Sequence, residues 1–327
     1  MLKKHVSQFL SYRKKIHRNL HYGLILNRAA KQFLNLPILH KPFFMIGIPG
    51  ALHIMELSKR QLPANIDLVL VLNGMDEWEQ IWAKDHFSYR AIITLDKNEM
   101  IPHSKVLDML FDNYQAPFGI LDYDCFVFNP ECFSEMQNLD EKYLLNSLFF
   151  HESPILGRVP QTFFLFFNSN KVQFLKKKYK VDCGIVNFQK KIPLIAIKKL
   201  REIGIDKDHY PENIKQYFDT LILLVTLGHA ENIVCNYLDQ YTKGPFDDAD
   251  VFHVGGVAFP NTTYGWWGVR GSYFWWRALE NCKDEELRNH YYQKFGRRLS
   301  SEIFDRFPEF EKYVTREFYD FVERIVK

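Results

Sequence analysis

The stretch Phe118-Gly-Ile-Leu-Asp-Tyr-Asp-Cys-Phe-Val-Phe128 sets two carboxylates, Asp122 and Asp124, inside an apolar run. Seven of its eleven residues are aromatic or aliphatic, which predicts a buried strand. Two carboxylates at i and i+2 of a strand end lose their hydration unless a positive charge sits between them. A hard divalent cation meets that need. Mg²⁺ or Mn²⁺ takes carboxylate oxygens and keeps coordination places open for a diphosphate. The same residues allow a second reading, in which the strand ends at Leu121 and both aspartates are solvated turn residues.

Upstream, strand and helix patterns alternate. Phe43 to Ile48 reads as a strand closed by Pro49-Gly50, followed by a helical stretch to Arg60. Ile66 to Leu72, Glu77 to Lys84 and Ala91 to Leu95 read as strand, helix and strand. Pro102 opens a helix that carries Val106, Leu107, Leu110 and Phe111 on one face. The Asp122 strand is the fourth. Such alternation predicts an α/β fold, a mostly parallel sheet flanked by helices with its ligand at the carboxyl ends of the strands. Downstream, Gln161–Phe167, Gly184–Phe188, Ile233–Tyr237 and Val251–Val254 read as strands. Leu194–Ile203 and Asp219–Leu227 read as helices, and from Phe274 onward the chain is helical and amphipathic.

At 327 residues, 47% hydrophobic and 25% charged, the chain is globular with a substantial core. The 29 Phe, 17 Tyr and 6 Trp fill that core, with sugar-facing rings as the other use of so many aromatics. Five cysteines (125, 132, 183, 235, 282) include no CxxC pair, so reduced cytoplasmic thiols are expected. No run reaches the length of a membrane span, and the amino-terminal residues lack a signal-peptide centre.

Net charge is only +3, yet residues 1–55 hold nine Lys or Arg and no Asp or Glu, leaving 33 basic and 39 acidic residues in the remainder. Phe9, Tyr12, Ile16, Leu20, Leu24 and Ala30 fall near helical spacing there. A basic amphipathic helix of this kind lies on an anionic membrane surface or docks its apolar stripe on its own domain. No nucleic-acid partner is indicated. The chain divides into a basic helical arm (1–40), a catalytic domain (41–273) and a helical extension (274–327), with no low-complexity linker between them.

Three later segments extend the aspartate pair. Asp182-Cys-Gly-Ile-Val-Asn-Phe188 places a carboxylate and Gly184 before an apolar strand. Tyr217-Phe-Asp-Thr-Leu-Ile-Leu-Leu224 places Asp219 at the start of an apolar helix. Val251-Phe-His-Val-Gly-Gly256 ends a strand on His253, followed by Gly255 and Gly256. A neutral imidazole is a good third ligand for Mn²⁺, and glycines let backbone approach a diphosphate.

The order and intervals of these segments resemble the GT-A glycosyltransferases, most closely the glycogenin-like and bacterial galactosyltransferase-like retaining group, over residues 43–261. That group carries Asp-x-Asp after the fourth strand, Asn-x-Gly before a strand, Asp-Gln at a helix start and a closing His-x-x-Gly-x-x-Lys-Pro-Trp. The matches here are Asp122 and Asp124, Asp182 with Gly184, Asp219, and His253 with Gly256 and Pro260. The resemblance implies a Rossmann-like fold and a nucleoside-diphosphate sugar donor. It implies a glycan or other hydroxyl acceptor and Mn²⁺ or Mg²⁺ held by Asp122, Asp124 and His253. It places Lys105, Asp122, Gly184 and Gly256 at the donor, and Asp182 and Asp219 as catalytic residues at the transferred sugar. The sequence departs from the group at Asp182 for Asn, Thr220 for Gln, Phe259 for Lys and Asn261 for Trp. Arg270 is the nearest basic residue after the missing lysine.

Each residue also has a structural reading. His253 fits a core histidine, Asp219 an N-cap accepting from Leu221 or Ile222, Asp182 a turn cap and Lys105 a solvated helix charge. Trp266, Trp267, Trp275 and Trp276 fit aromatic core as well as an acceptor platform. Two rival functions remain. One is a haloacid-dehalogenase-like phosphatase, whose Asp-x-Asp belongs on the first strand. The other is a sugar-nucleotide-binding protein that lost turnover, suggested by Phe259.

Overall fold

The computed structural model describes residues 18–327 except 88, 98, 190–191, 212–215, 246–247, 258–264 and 297–309. Phe9, Tyr12, Ile16, Phe259, Pro260 and Asn261 lie outside the described residues, as do the side chains of Trp266 and Trp267. Strands β1 (Phe43–Gly47), β2 (Leu68–Leu72), β3 (Ala91–Thr94) and β4 (Phe118–Leu121) are the parallel half of a seven-stranded sheet. Beyond them come β5 (Cys125–Val127), β6 (Leu145–Ser147), a β7–β8 hairpin (Phe150–Ser153, Gly157–Pro160), β9 (Phe164–Phe167), β10 (Asn236–Tyr237) and β11 (Val251–His253). The sheet order is β10-β6-β9-β4-β1-β2-β3, with β9 antiparallel to both β4 and β6. The expected mostly parallel α/β sheet flanked by helices is the observed architecture.

Helices cover both faces. A helix over residues 18–30 (α1) precedes β1, and α2 (Leu52–Lys59), α3 (Glu77–His86) and α4 (His103–Asn113) link the parallel strands. Then follow α5 (Glu131–Gln137), α6 (Ser169–Tyr179), α7 (Leu194–Glu202), α8 (Ile222–Ala230), α9 (Gly265–Glu280), α10 (Glu285–Phe295), α11 (Phe310–Tyr313) and α12 (Arg316–Val326). Strand alternation divides the apolar side chains between two cores. Phe43, Met45, Leu68, Leu70 and Leu72 pack with α2, α9 and α12, whereas Phe44, Ile46, Val69 and Val71 pack with α1, α4, α6 and α8.

Several boundaries differ from the sequence reading. The run 118–128 is two strands, broken after Leu121, where the second reading ended the strand, by a turn through Tyr123 and Asp124, with Asp124 buried rather than solvated. Gly184–Phe188 forms only a lone antiparallel bridge, Val186 to Phe218. The border drawn at residue 273 falls inside α9, and Trp275 and Trp276 are fully buried core. In α1 the docked side chains are Ile25 and Ala29, while Leu20 and Leu24 of the expected stripe are exposed. Edge strand β3 is closed by Gln32, whose amide donates to the Thr94 carbonyl at 2.8 Å and accepts from the Thr94 N–H at 3.0 Å. Among the described residues no helix is long and apolar enough to cross a membrane.

Candidate metal and donor site

The turn after β4 is built by its own backbone and by a neighbour. Asp122 N–H donates to Phe163 carbonyl at 2.8 Å, and Cys125 N–H donates to Asp122 carbonyl at 3.0 Å. The chain then reverses into β5, which pairs antiparallel with β11 so that Cys125 faces His253. This register lays the histidine beside the aspartates, although the ribbon partners are far apart in sequence. Val254 N–H donates to the Asp124 carbonyl at 3.1 Å, and Gly255 N–H donates to Asp124 Oδ2 at 3.1 Å. One oxygen of Asp124 is thereby fixed, and the other turns to the imidazole.

Asp122, Asp124 and His253 each present a ligand atom, and these atoms all lie within 4.8 Å of one another. His253 Nε2 is 3.3 Å from Asp124 Oδ1 and 3.6 Å from Asp122 Oδ2. Its ring stacks on Phe163, with centroids 4.4 Å apart and planes at 15°, which sets the imidazole orientation. Asp124 is buried, while Asp122 keeps 34% of its side chain accessible through the cleft mouth. Burial, with the Asp124 charge, pushes the Asp122 carboxyl up to about 7 against the opposing pull of His253. Burial alone would lower the His253 pKa, but the facing carboxylates outweigh it and raise the imidazole. Two crowded carboxylates and one imidazole suit a divalent cation: oxygen ligands for a hard ion, and a nitrogen that Mn²⁺ accepts readily. The cluster is able to bind a metal.

A cavity of about 350 Å³ opens above it at the carboxyl ends of β1, β2 and β4. Ile46, Ile48, Met100 and Ile101 form its apolar wall, and Asn73, His103 and Gly256 its polar rim. Asn73, 1% exposed, clasps the loop opposite, donating to the Ile101 carbonyl and accepting from the Ile101 N–H, both at 2.8 Å. It was not read from the sequence, though a polar residue directly after the apolar run of β2 follows the rule that singled out Asp122. Lys243 was missed too. Its ammonium lies 4.7 Å from the Phe163 ring centroid, so a positive charge stands one ring away from His253.

The second group of expected residues is divided between this cleft and a neighbouring groove. Phe218 N–H and the Val186 carbonyl are 2.7 Å apart, and Leu221 N–H donates to Cys183 carbonyl at 3.1 Å, so the segments carrying Asp182 and Asp219 are bound together. Asp219 exerts its charge on His103, which lines the cleft. Its side chain accepts from Thr220 N–H at 2.7 Å, while Leu221, in the left-handed region at φ 69°, holds the cap position of α8. Asp219 is therefore not the N-cap. Asp182 accepts from Lys105 Nζ at 2.8 Å and from Gly184 N–H at 3.0 Å. Burial raises its pKa, but these bonds and the lysine charge outweigh that and hold it below the usual carboxylate range. Lys105 and Asp182 open onto a separate groove beside Gly23 and Leu26 of α1, away from the Asp122 cavity. Arg270 lies 4.3 Å from the Phe318 ring centroid and 5.8 Å from that of Phe252. The first strand, β1, ends in Gly47 and Ile48 with no carboxylate, so the phosphatase arrangement is not present.

Residues 26–172 match the StrH glycosyltransferase N-terminal domain. The matched stretch includes Asp122 and Asp124 and bears out the glycosyltransferase resemblance read from the residues. A dTDP-dihydrostreptose–streptidine-6-phosphate dihydrostreptosyltransferase from Streptomyces griseus is 28% identical over 109 residues, covering 33% of this chain and 28% of that protein. The chain thus spans little more than a quarter of that relative's length. Among solved structures, the glycosyltransferase GlyE of Streptococcus pneumoniae TIGR4 aligns at TM-score 0.40 and 10% identity, over 80% of this chain and 66% of its own. The mannosyltransferase PcManGT of Pyrobaculum calidifontis, solved with GDP-Man and Mn²⁺, aligns at TM-score 0.37 and 11% identity over 94% of both chains.

Proposed function

We propose that this protein is a metal-dependent glycosyltransferase that moves a sugar from a nucleoside-diphosphate donor to a hydroxyl of a glycan or other acceptor. The observation that carries the reading is the convergence of Asp122, Asp124 and His253 at the mouth of a cleft with an apolar wall. Asp124, held by the Gly255 N–H, and His253, held against Phe163, are the direct ligands. Asp122, at the accessible edge, binds the cation or the donor ribose. Mn²⁺ is favoured over Mg²⁺ because of the imidazole. Bound there, the ion supplies positive charge to the departing diphosphate.

The side chains have separable tasks in this reading. Ile46, Ile48 and Ile101 receive the apolar face of the nucleoside, and Gly256 lets backbone approach the phosphates. Asp219, next to His103, is the carboxylate directed at the transferred sugar. Asp182, bonded to Lys105 and the Gly184 N–H, braces that turn beside it. No two of the five cysteines are paired, which is in keeping with a cytoplasmic location.

The test is release of nucleoside diphosphate from a panel of nucleotide sugars, with Mn²⁺ and with chelator. Turnover that depends on Mn²⁺ is expected. Asp124→Asn should weaken Mn²⁺ binding by at least about 10–100-fold and abolish turnover, with an unchanged melting temperature. Phosphate release from simple monoesters without donor cleavage, or full Mn²⁺ dependence in Asp124→Asn, would overturn the assignment.

A further inference from the structure

We propose that the outward face of α1 seats the protein on an anionic lipid bilayer. The helix has two apolar faces with different fates. Ile25 and Ala29 are 2% and 1% exposed, with Tyr22, Leu26 and Phe33 packed beside them on the core. That accounts for docking. Leu20 and Leu24, one turn apart on the opposite side, remain 64% and 63% exposed. Arg28 and the following Lys31 continue the same stripe at i+8 and i+11 and are exposed as well. Leucines that enter the acyl boundary, followed by cations at the headgroup level, are the pattern of an interfacial helix.

Charge selects the occupant. Residues 1–55 hold nine Lys or Arg and no acidic residue, and Arg28 and Lys31 are the cations of the outward stripe. Negative headgroups complement this face. A nucleic acid would answer the cations and leave the leucines unused. The helix is tied to the loop before α4 where His21 Nε2 meets Glu99 Oε2 at 3.0 Å. Glu99 adjoins Met100, which lines the cleft and is 40% exposed.

Sedimentation of the full chain with vesicles of phosphatidylcholine, alone or mixed with phosphatidylglycerol, tests the inference. Pelleting is expected with the mixed vesicles only, and it should fade as salt rises past the point where charges are screened. The double variant Leu20→Asp, Leu24→Asp should weaken binding at least about tenfold with its melting temperature kept, because neither side chain packs on the core. Arg28→Gln with Lys31→Gln should weaken it and flatten the salt dependence. Equal pelleting with both vesicle types, no pelleting, undiminished pelleting of the double aspartate variant, or self-association without lipid that the aspartates abolish would each overturn it.

Discussion

The His53 imidazole is 1% exposed, and its Nε2 meets the Trp275 carbonyl at 3.0 Å while Nδ1 has no hydrogen-bond partner among the described residues. Burial lowers its pKa to about 3, only partly offset by the carbonyl contact. Between that value and the ordinary histidine pKa of ~6.5, the unfolded chain binds a proton that the folded chain refuses. Stability is therefore full above about 6.5 and falls as pH drops below it, by up to ~1.4 kcal/mol per unit. Urea unfolding at pH 7, 6 and 5 should show this fall, and His53→Gln should remove the histidine's share of the slope. Equal slopes in both proteins would refute the assignment. A solitary histidine in a helix gave no warning of this role in the sequence. His253 did, because a histidine before two glycines, after an Asp-x-Asp, has few other uses. The Lys105–Asp182 pair was not foreseeable, since a helix lysine reads as solvated until its partner's loop is placed.

At the scale of elements, α9 decides how the site is held. A Cβ at Gly271 would lie 2.3 Å from the Gly256 carbonyl oxygen, 2.4 Å from its carbon and 2.8 Å from the Gly255 oxygen. These are backbone atoms and cannot swing aside, so the helix approaches the loop after His253 only because position 271 lacks a side chain. Gly271→Ala should cost about 1–3 kcal/mol and should weaken Mn²⁺ binding by displacing the Gly255 N–H from Asp124. Thermal unfolding and Mn²⁺ titration calorimetry would measure both; a variant that loses stability yet binds Mn²⁺ normally would separate packing from the site. The same glycines explain why the helix was expected only from residue 274. Gly265, Gly268 and Gly271 are poor helix formers, and tertiary packing overrides that preference. The parallel strands were legible because each is a short apolar run closed by a turn. The break after Leu121 was legible only as one of two readings, since apolar residues continue on both sides of it.

Across the whole molecule, the carboxy-terminal helices belong to the core of the sheet. Phe321 lies 4.3 Å from Phe252 and 6.1 Å from Phe126 by ring centroids, so α12 covers the β5–β11 ribbon that carries the site. Phe318, Phe321, Val322 and Val326 are all buried. At ~1.5–3 kcal/mol each, removing them forfeits about 6–12 kcal/mol, comparable to the ~5–15 kcal/mol that holds a domain together. A chain truncated after Tyr313 should elute as aggregate on size exclusion and bind hydrophobic dye; a monomer with a cooperative melt would show that α12 is dispensable. The amphipathic pattern of this region was legible, but not its destination, because the ribbon it covers is assembled from distant residues. The bond from Gly255 to Asp124 spans 131 residues, and that interval has a temporal meaning. During synthesis at ~5–20 residues per second, the aspartates wait roughly 7–26 s for the histidine hairpin. Over that interval the nascent chain holds the crowded carboxylates without their imidazole partner, and a ribosome-bound chain ending before Val251 should be unable to retain Mn²⁺ there.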